Sequence, residues 1–324
     1  MTEVSTTLDK KSKSTFAGVR RFLAARETGV LIALLLMCLF LSLTTPSFLS
    51  FRNLLNVGRQ VSLLGIMAIG MVLVLVSREI DLSVGATYAL SAIVTGLLIL
   101  QQLPLWVCLL AGLSIGVLVG LINGLLSTYG QLPSFITTLG MMSVVRGIAL
   151  LITDGKPVTV NEAFGADPEA LKIFYFLGQG RLFDVIPMQL VFFIVVILIG
   201  GFLISRTVLG FCIYAVGGSD KAARVSGIRV FNTKITAFVI MGFLCALAGV
   251  LSLSFLPSAQ AGRTGVGMEL DVIAAPIVGG ASLSGGEGTV LGVILGVFII
   301  GVLRNGLVLM GISPFWQEVA IGAV

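Results

Sequence analysis

The sequence predicts an all-α polytopic membrane protein of about ten transmembrane helices, with a cytoplasmic N-terminus and short or broken helices near 78–86 and 270–288. Three observations carry this reading. Of the 324 residues, 57% are Ala, Val, Ile, Leu, Met, Phe, Trp, Tyr or Cys, and a further 40 are glycine. Only 11% are charged, less than half the share usual in a soluble domain, and the mean hydropathy is +1.11. Apolar runs recur along the whole chain, and a span with its connection takes roughly 30 residues, which leaves room for about ten. This excludes a soluble enzyme, a disordered chain and a nucleic-acid binder. The net charge of +5 reflects basic residues in flanks and loops, where they orient helices.

Residues 1–28 form a polar flank containing Lys10, Lys11, Lys13, Arg20, Arg21 and Arg26. The apolar run from Val30 to about Thr45 is read as a retained first span, because no small-residue cleavage site follows it. Further segments lie near 61–77, 85–101, 104–128, 133–152, 187–205, 235–255, 270–284, 288–311 and 314–324, so that 29–324 form a single transmembrane domain. Three of these are imperfect: 85–101 follows a charged cluster, 270–284 is short and contains Gly279 and Gly280, and 314–324 reads as a truncated helix. The positive-inside rule places the flank and the 206–234 loop (Arg206, Lys221, Arg224, Arg229, Lys234) in the cytoplasm. The acid-rich 153–186 loop then lies outside, and parity of the preceding spans agrees. A small helix is expected there from Asp167 to Phe176, with Pro168 in its first turn. The stretches Asp81–Gly85 and Asp271–Gly280 suggest an inverted repeat.

Chemistry is confined to few positions. The chain has no histidine, which removes His-ligated metal sites and His acid–base catalysis. Cys38, Cys108, Cys212 and Cys245 stand singly in apolar surroundings, as reduced buried thiols do. No cofactor is implied. Arg78-Glu79-Ile80-Asp81-Leu82-Ser83-Val84-Gly85 puts three charges in four residues between two apolar segments. Two readings stand: a solvated turn in which Asp81 caps the next helix and Gly85 permits close packing, or a broken helix lining a cavity. Arg146 and Arg304, each inside a span, either snorkel to the interface or face a cavity. Gly279–Gly288 lacks the Lys-Ser/Thr ending of a phosphate loop and reads as a tight connection between helices. In the 206–234 loop, Ser219 or Asp220 caps a short helix that stops at Gly227; it either lies on lipid headgroups or docks into a soluble subunit.

From about Pro46 onward the chain resembles the permease subunit of ribose-type ABC importers. The resemblance rests on Ile80–Gly85, Leu132–Gly140, the loop with Ala222, Arg224, Ser226 and Gly227, Ser258-Ala259-Gln260 with Glu269–Ala275, and Gly279–Gly288 followed by Asn305-Gly306. It departs from the family pattern at Lys221 and at Arg78-Glu79. The resemblance implies a bacterial inner-membrane subunit without catalysis of its own. It also implies a second permease copy, a cytoplasmic ABC ATPase and a periplasmic sugar-binding protein as partners. On it, Asp220, Lys221, Ala222, Ala223, Arg224, Ser226 and Gly227 form the loop that couples to the ATPase. Asp81, Ser83, Gly85, Ser258, Gln260, Glu269, Asp271 and Asn305 then belong to the path or gate for a pentose or hexose, moved by alternating access. The residues alone leave two other classes open: an ion-coupled secondary transporter using Glu79, Asp81 or Asp271, and a passive glycine-rich channel.

Overall fold

The computed structural model describes residues 26–162 and 166–313, with Trp316, Val319, Gly322 and Ala323 beyond them. The expected flank before residue 26 and, apart from those four positions, the expected helix over 314–324 lie outside the described residues. In chain order the elements are α1 (Arg26–Thr44), α2 (Phe51–Val76), α3 (Val84–Leu100), α4 (Leu105–Thr128), α5 (Ser134–Thr153), β1 (Val158–Thr159), α6 (Pro168–Gln179), β2 (Arg181–Leu182) and β3 (Ile186–Pro187). They continue with α7 (Met188–Arg206), α8 (Val208–Gly218), α9 (Asp220–Val225), α10 (Val230–Phe255), β4 (Ser258–Ala259), α11 (Met268–Val278) and α12 (Val290–Leu309).

Seven described helices, α1, α2, α4, α5, α7, α10 and α12, are long and apolar enough to cross a membrane. The difference from ten lies in the three imperfect segments: α3 has 17 residues, α11 has 11, and the third falls mostly outside the described residues. Helix α2 starts ten residues before the expected 61, because Ser50 caps it by accepting the Asn53 N–H. The 206–234 segment is also more than a loop. It begins with α8, eleven residues of nearly continuous apolar character capped by Thr207. Counting only its basic residues hides this helix. In the 153–186 segment, α6 starts at Pro168 with Asp167 as its cap, and runs to Gln179.

Helices α2 and α10 form the centre. Helix α10 packs on α2, α3, α4 and α6, while α2 also meets α7, α11 and α12. The α4–α10 contact is made by glycines at a spacing of four. Added side chains at Gly116, Gly120 and Gly124 would sit 2.0 Å from Gly242 O, 2.2 Å from Phe238 O and 2.9 Å from Ile235 Cα, so backbone touches backbone. This is the small-residue packing that helices use where lipid tails remove any hydrophobic preference for association. For the same reason Leu43, Leu151, Leu198 and Phe202 point outward, while Asp81, Asn123, Thr138, Gln189 and Asp271 are buried. β1 pairs with β4 antiparallel, Val158 opposite Ala259, and joins the 153–186 end to the segment after α10.

Candidate functional site

The break between α2 and α3 is built at both edges by satisfied backbone groups. Helix α2 ends with Arg78 in the left-handed region (φ 65°), its N–H donating to Leu75 O at 2.9 Å, while the Glu79 N–H donates to Val74 O at 3.0 Å. This is a Schellman stop with arginine where glycine is usual, which costs about 1 kcal/mol. The next donors go to side chains. Ile80 N–H reaches Ser134 Oγ at 3.2 Å, Leu82 N–H reaches Thr138 Oγ1 at 3.0 Å, and Ser83 N–H reaches Asp81 Oδ1 at 2.8 Å. Two of the motifs read from the sequence, 80–85 and 132–140, thus meet: the start of α5 solvates the irregular backbone that a bilayer would not.

Asp81 does not cap α3; Ser83 occupies that position, and its hydroxyl donates to Asp81 Oδ1 at 2.6 Å instead. The Asp81 carboxylate is 2% exposed. It also receives Asn123 Nδ2 of α4 at 3.4 Å to each oxygen, and Nδ2 lies 2.9 Å from Ser83 Oγ. Only Arg78 of the 77–85 stretch is exposed, so protein shelters the rest.

The second interruption, between α10 and α11, meets the first. A side chain on Gly85 would lie 2.1 Å from Gly265 O, and one on Gly265 would lie 2.2 Å from Gly85 O. Gly265 (φ 72°) and Gly267 (φ 81°) turn the chain through the left-handed region there. Arg146 neither snorkels nor faces open space: its Nη1 donates to Ala261 O and Thr264 O, both at 2.7 Å, and holds this turn. Glu269 opens α11 beside Gly85, and its Oε2 is buried.

The remaining expected path residues do not converge on this point. Ser258 lies against Thr159 at 3.2 Å, and Gln260 Nε2 donates to Gly155 O at 3.4 Å, both at the 153–186 end. Asp271 pairs with Arg304 at 2.6 Å. Asn305 exchanges two 3.0 Å hydrogen bonds with Asn53. A cavity of about 790 Å³ opens elsewhere, lined among others by Arg52, Asn56, Arg59, Gln179 and Arg181.

At the 206–234 end, Ser219 caps α9 by accepting the Ala222 N–H, and Gly227 (φ 82°) ends the turn, as the sequence indicates. Asp220 points to Lys234 at 3.0 Å, and Lys234 also holds Glu79 at 2.8 Å. Arg224 lies over the Phe231 ring, 4.7 Å from its centroid. Ala223 is buried on Val216 and Val230, so it seats the helix rather than presenting it. Lys221, Ala222, Val225, Ser226 and Gly227 remain exposed, Val225 to 90%. The Gly279–Gly288 connection docks beside them: Gly286 N–H donates to Val76 O at 2.9 Å, the Tyr214 hydroxyl to Gly288 O, and Gly217 packs on both Val76 and Gly286.

Comparison with known proteins decides what this arrangement belongs to. Residues 53–324 match the sequence model of the family described as the permease component of branched-chain amino acid transport systems. The chain is 38% identical over 310 residues to the ribose import permease protein RbsC of Haemophilus influenzae, covering 96% of this chain and 93% of that one. The chain belongs to the ribose-type ABC permease family. Identity is 41% over 301 residues with RbsC of Bacillus subtilis (92% and 90% of the two chains). It is 35% over 324 residues with the L-arabinose transport system permease protein AraH of Escherichia coli (100% and 94%). No solved structure matches the chain. The permease is therefore a multi-pass membrane transport subunit. Reading the sequence missed Asn123, Asn53 and Val225. The two asparagines carry a signal, since an amide in an apolar helix must find a partner; Val225 carries none, because its exposure depends on how α9 is seated.

Proposed function

We propose that this permease carries a pentose- or hexose-type sugar across the bacterial inner membrane into the cytoplasm, by alternating access driven by a separate ATPase. A periplasmic binding protein delivers the sugar, and two copies of the chain form the path. In this reading residues 29–324 are one transmembrane domain, 153–186 is periplasmic and 206–234 cytoplasmic. The names of its relatives, ribose import and L-arabinose transport permeases, support the substrate class.

The observation that carries the mechanism is α9: a capped helix with Val225 and Lys221 exposed at its far side and Asp220 tied inward to the break. A carrier or channel has no use for such a projection, whereas an ATPase needs a handle on the membrane domain. The path then runs past Ser258, Gln260 and Glu269 on the outer side and the Asp81–Ser83–Gly85 crossing, with Asp271 and Asn305 bracing the elements beside it.

The carboxylates on which ion coupling would rest are already engaged: Glu79 with Lys234, Asp271 with Arg304, and Asp81 with Ser83 and Asn123. Uptake by intact cells distinguishes the energy sources. Sugar accumulation is expected to stop when ATP is depleted with ion gradients maintained, and to persist when the proton and sodium gradients are collapsed with ATP maintained. The reverse pattern contradicts the reading.

A further inference from the structure

Glu79, in the break between α2 and α3, finds a partner that is not a neighbour in sequence. Glu79 Oε1 lies 2.8 Å from Lys234 Nζ, and the same ammonium lies 3.0 Å from Asp220 Oδ2. Lys234 and Glu79 side chains are each only 12% exposed, and Asp220 is 39% exposed. One cation on α10 therefore joins the first residue of α9 to the break between α2 and α3. From Glu79 the connection is short and stiff. Ile80 N–H is fixed to Ser134, Asp81 is bonded to Ser83 and Asn123, and Gly85 presses on Gly265 of the second interruption.

We propose that Lys234 is a positioning residue that passes displacement of α9 to the Glu79–Gly85 break, and so links the exposed helix to the crossing of the two interruptions. This rests on the reading of α9 as the element that an ATPase moves. The alternative role for Lys234 is to neutralise Glu79 and nothing more. The two differ in what happens when both charges are removed. A neutraliser is dispensable once its carboxylate is gone, as buried ion pairs replaced on both sides often are; a tie is not.

The test uses the whole importer, permease with its ATPase and binding protein, in proteoliposomes, and reads sugar transported per ATP hydrolysed. Lys234→Met and the doubly neutral Glu79→Gln/Lys234→Met are each expected to lower that ratio about tenfold, a coupling loss of ordinary allosteric size. Lys234→Arg, which still spans two carboxylates, is expected to restore it. A wild-type ratio in the doubly neutral protein overturns the proposal and assigns Lys234 to charge neutralisation. Where Lys234→Met fails to assemble, the doubly neutral variant, which leaves only the part-exposed Asp220 without its cation, gives the reading. Wild-type permease that transports without ATP hydrolysis contradicts the underlying reading itself, and is distinguished from failure of the Lys234 link by occurring before any substitution is made.

Discussion

The Asp271 carboxylate of α11 and the Arg304 guanidinium of α12 meet at 2.6 Å, joining two helices that the Gly279–Gly288 connection sets side by side. The pair is unequal: Asp271 is 7% exposed and Arg304 38%. Removing the arginine leaves a buried carboxylate without its cation, whereas neutralising the aspartate leaves a guanidinium that water can reach. Arg304→Met is therefore expected to cost on the order of 3 kcal/mol, and Asp271→Asn, which keeps an acceptor, about 1 kcal/mol. Thermal unfolding of the detergent-solubilised permease checks the order.

Gly85 is expected to tolerate no side chain. Its Cβ would fall 2.1 Å from a backbone oxygen that no rotamer change can move, so Gly85→Ala costs roughly 2 kcal/mol by overpacking and separates the two interruptions. Gly147 on α5 has nothing within 4 Å. Gly147→Ala is expected to be neutral, or stabilising by up to about 1 kcal/mol through helix propensity. Thermal unfolding and transport of both variants compare the crossing with an open face of the same protein.

Asn123 supplies the amide that Asp81 and Ser83 share. Asn123→Ala is expected to cost about 1–3 kcal/mol, the penalty for buried acceptors left short of a donor. Asn123→Asp is expected to be worse, because it sets a second carboxylate against the first. Unfolding temperatures in detergent at neutral pH measure both, and equal stability of the two variants would contradict the arrangement.

Much of this fold is written in hydropathy: the spanning helices α1, α4, α5, α7 and α12 follow the apolar segments within a few residues. So are the local stops, since Ser219, Asp167, Pro168 and Gly227 act where their chemistry indicates. Pairings across the chain were not legible. Lys234 is separated from Glu79 by seven helices, and in sequence it is only one more basic residue of its segment. The Gly112–Gly116–Gly120–Gly124 spacing is visible in the sequence, but its partners on α3 and α10 are set by tertiary packing. Within the candidate site the 80–85 and 132–140 motifs are each visible in the sequence, but their meeting is not; Asp271 and Asn305 likewise turn to Arg304 and Asn53, because in a bundle poor in polar groups each one seeks the nearest complement.

Val225 lies at the exposed tip of α9, where an apolar side chain has no partner within the described fold of its own helix face. Val225→Asp is expected to leave the permease folded and membrane-inserted, since surface substitutions away from packed features change stability by only about 0.5 kcal/mol, while weakening capture of a soluble subunit that buries it. Size-exclusion behaviour of the variant alone checks the first half.

The most direct test of the permease as an ATP-driven subunit is purification from its native host membrane in mild detergent, with identification of the soluble proteins that accompany it. An ATP-binding subunit is expected with the wild type, reduced with Val225→Asp, and absent when residues 219–227 are replaced by a neutral linker. A monodisperse permease without such a subunit, active in ion-gradient-driven uptake after reconstitution, would contradict it.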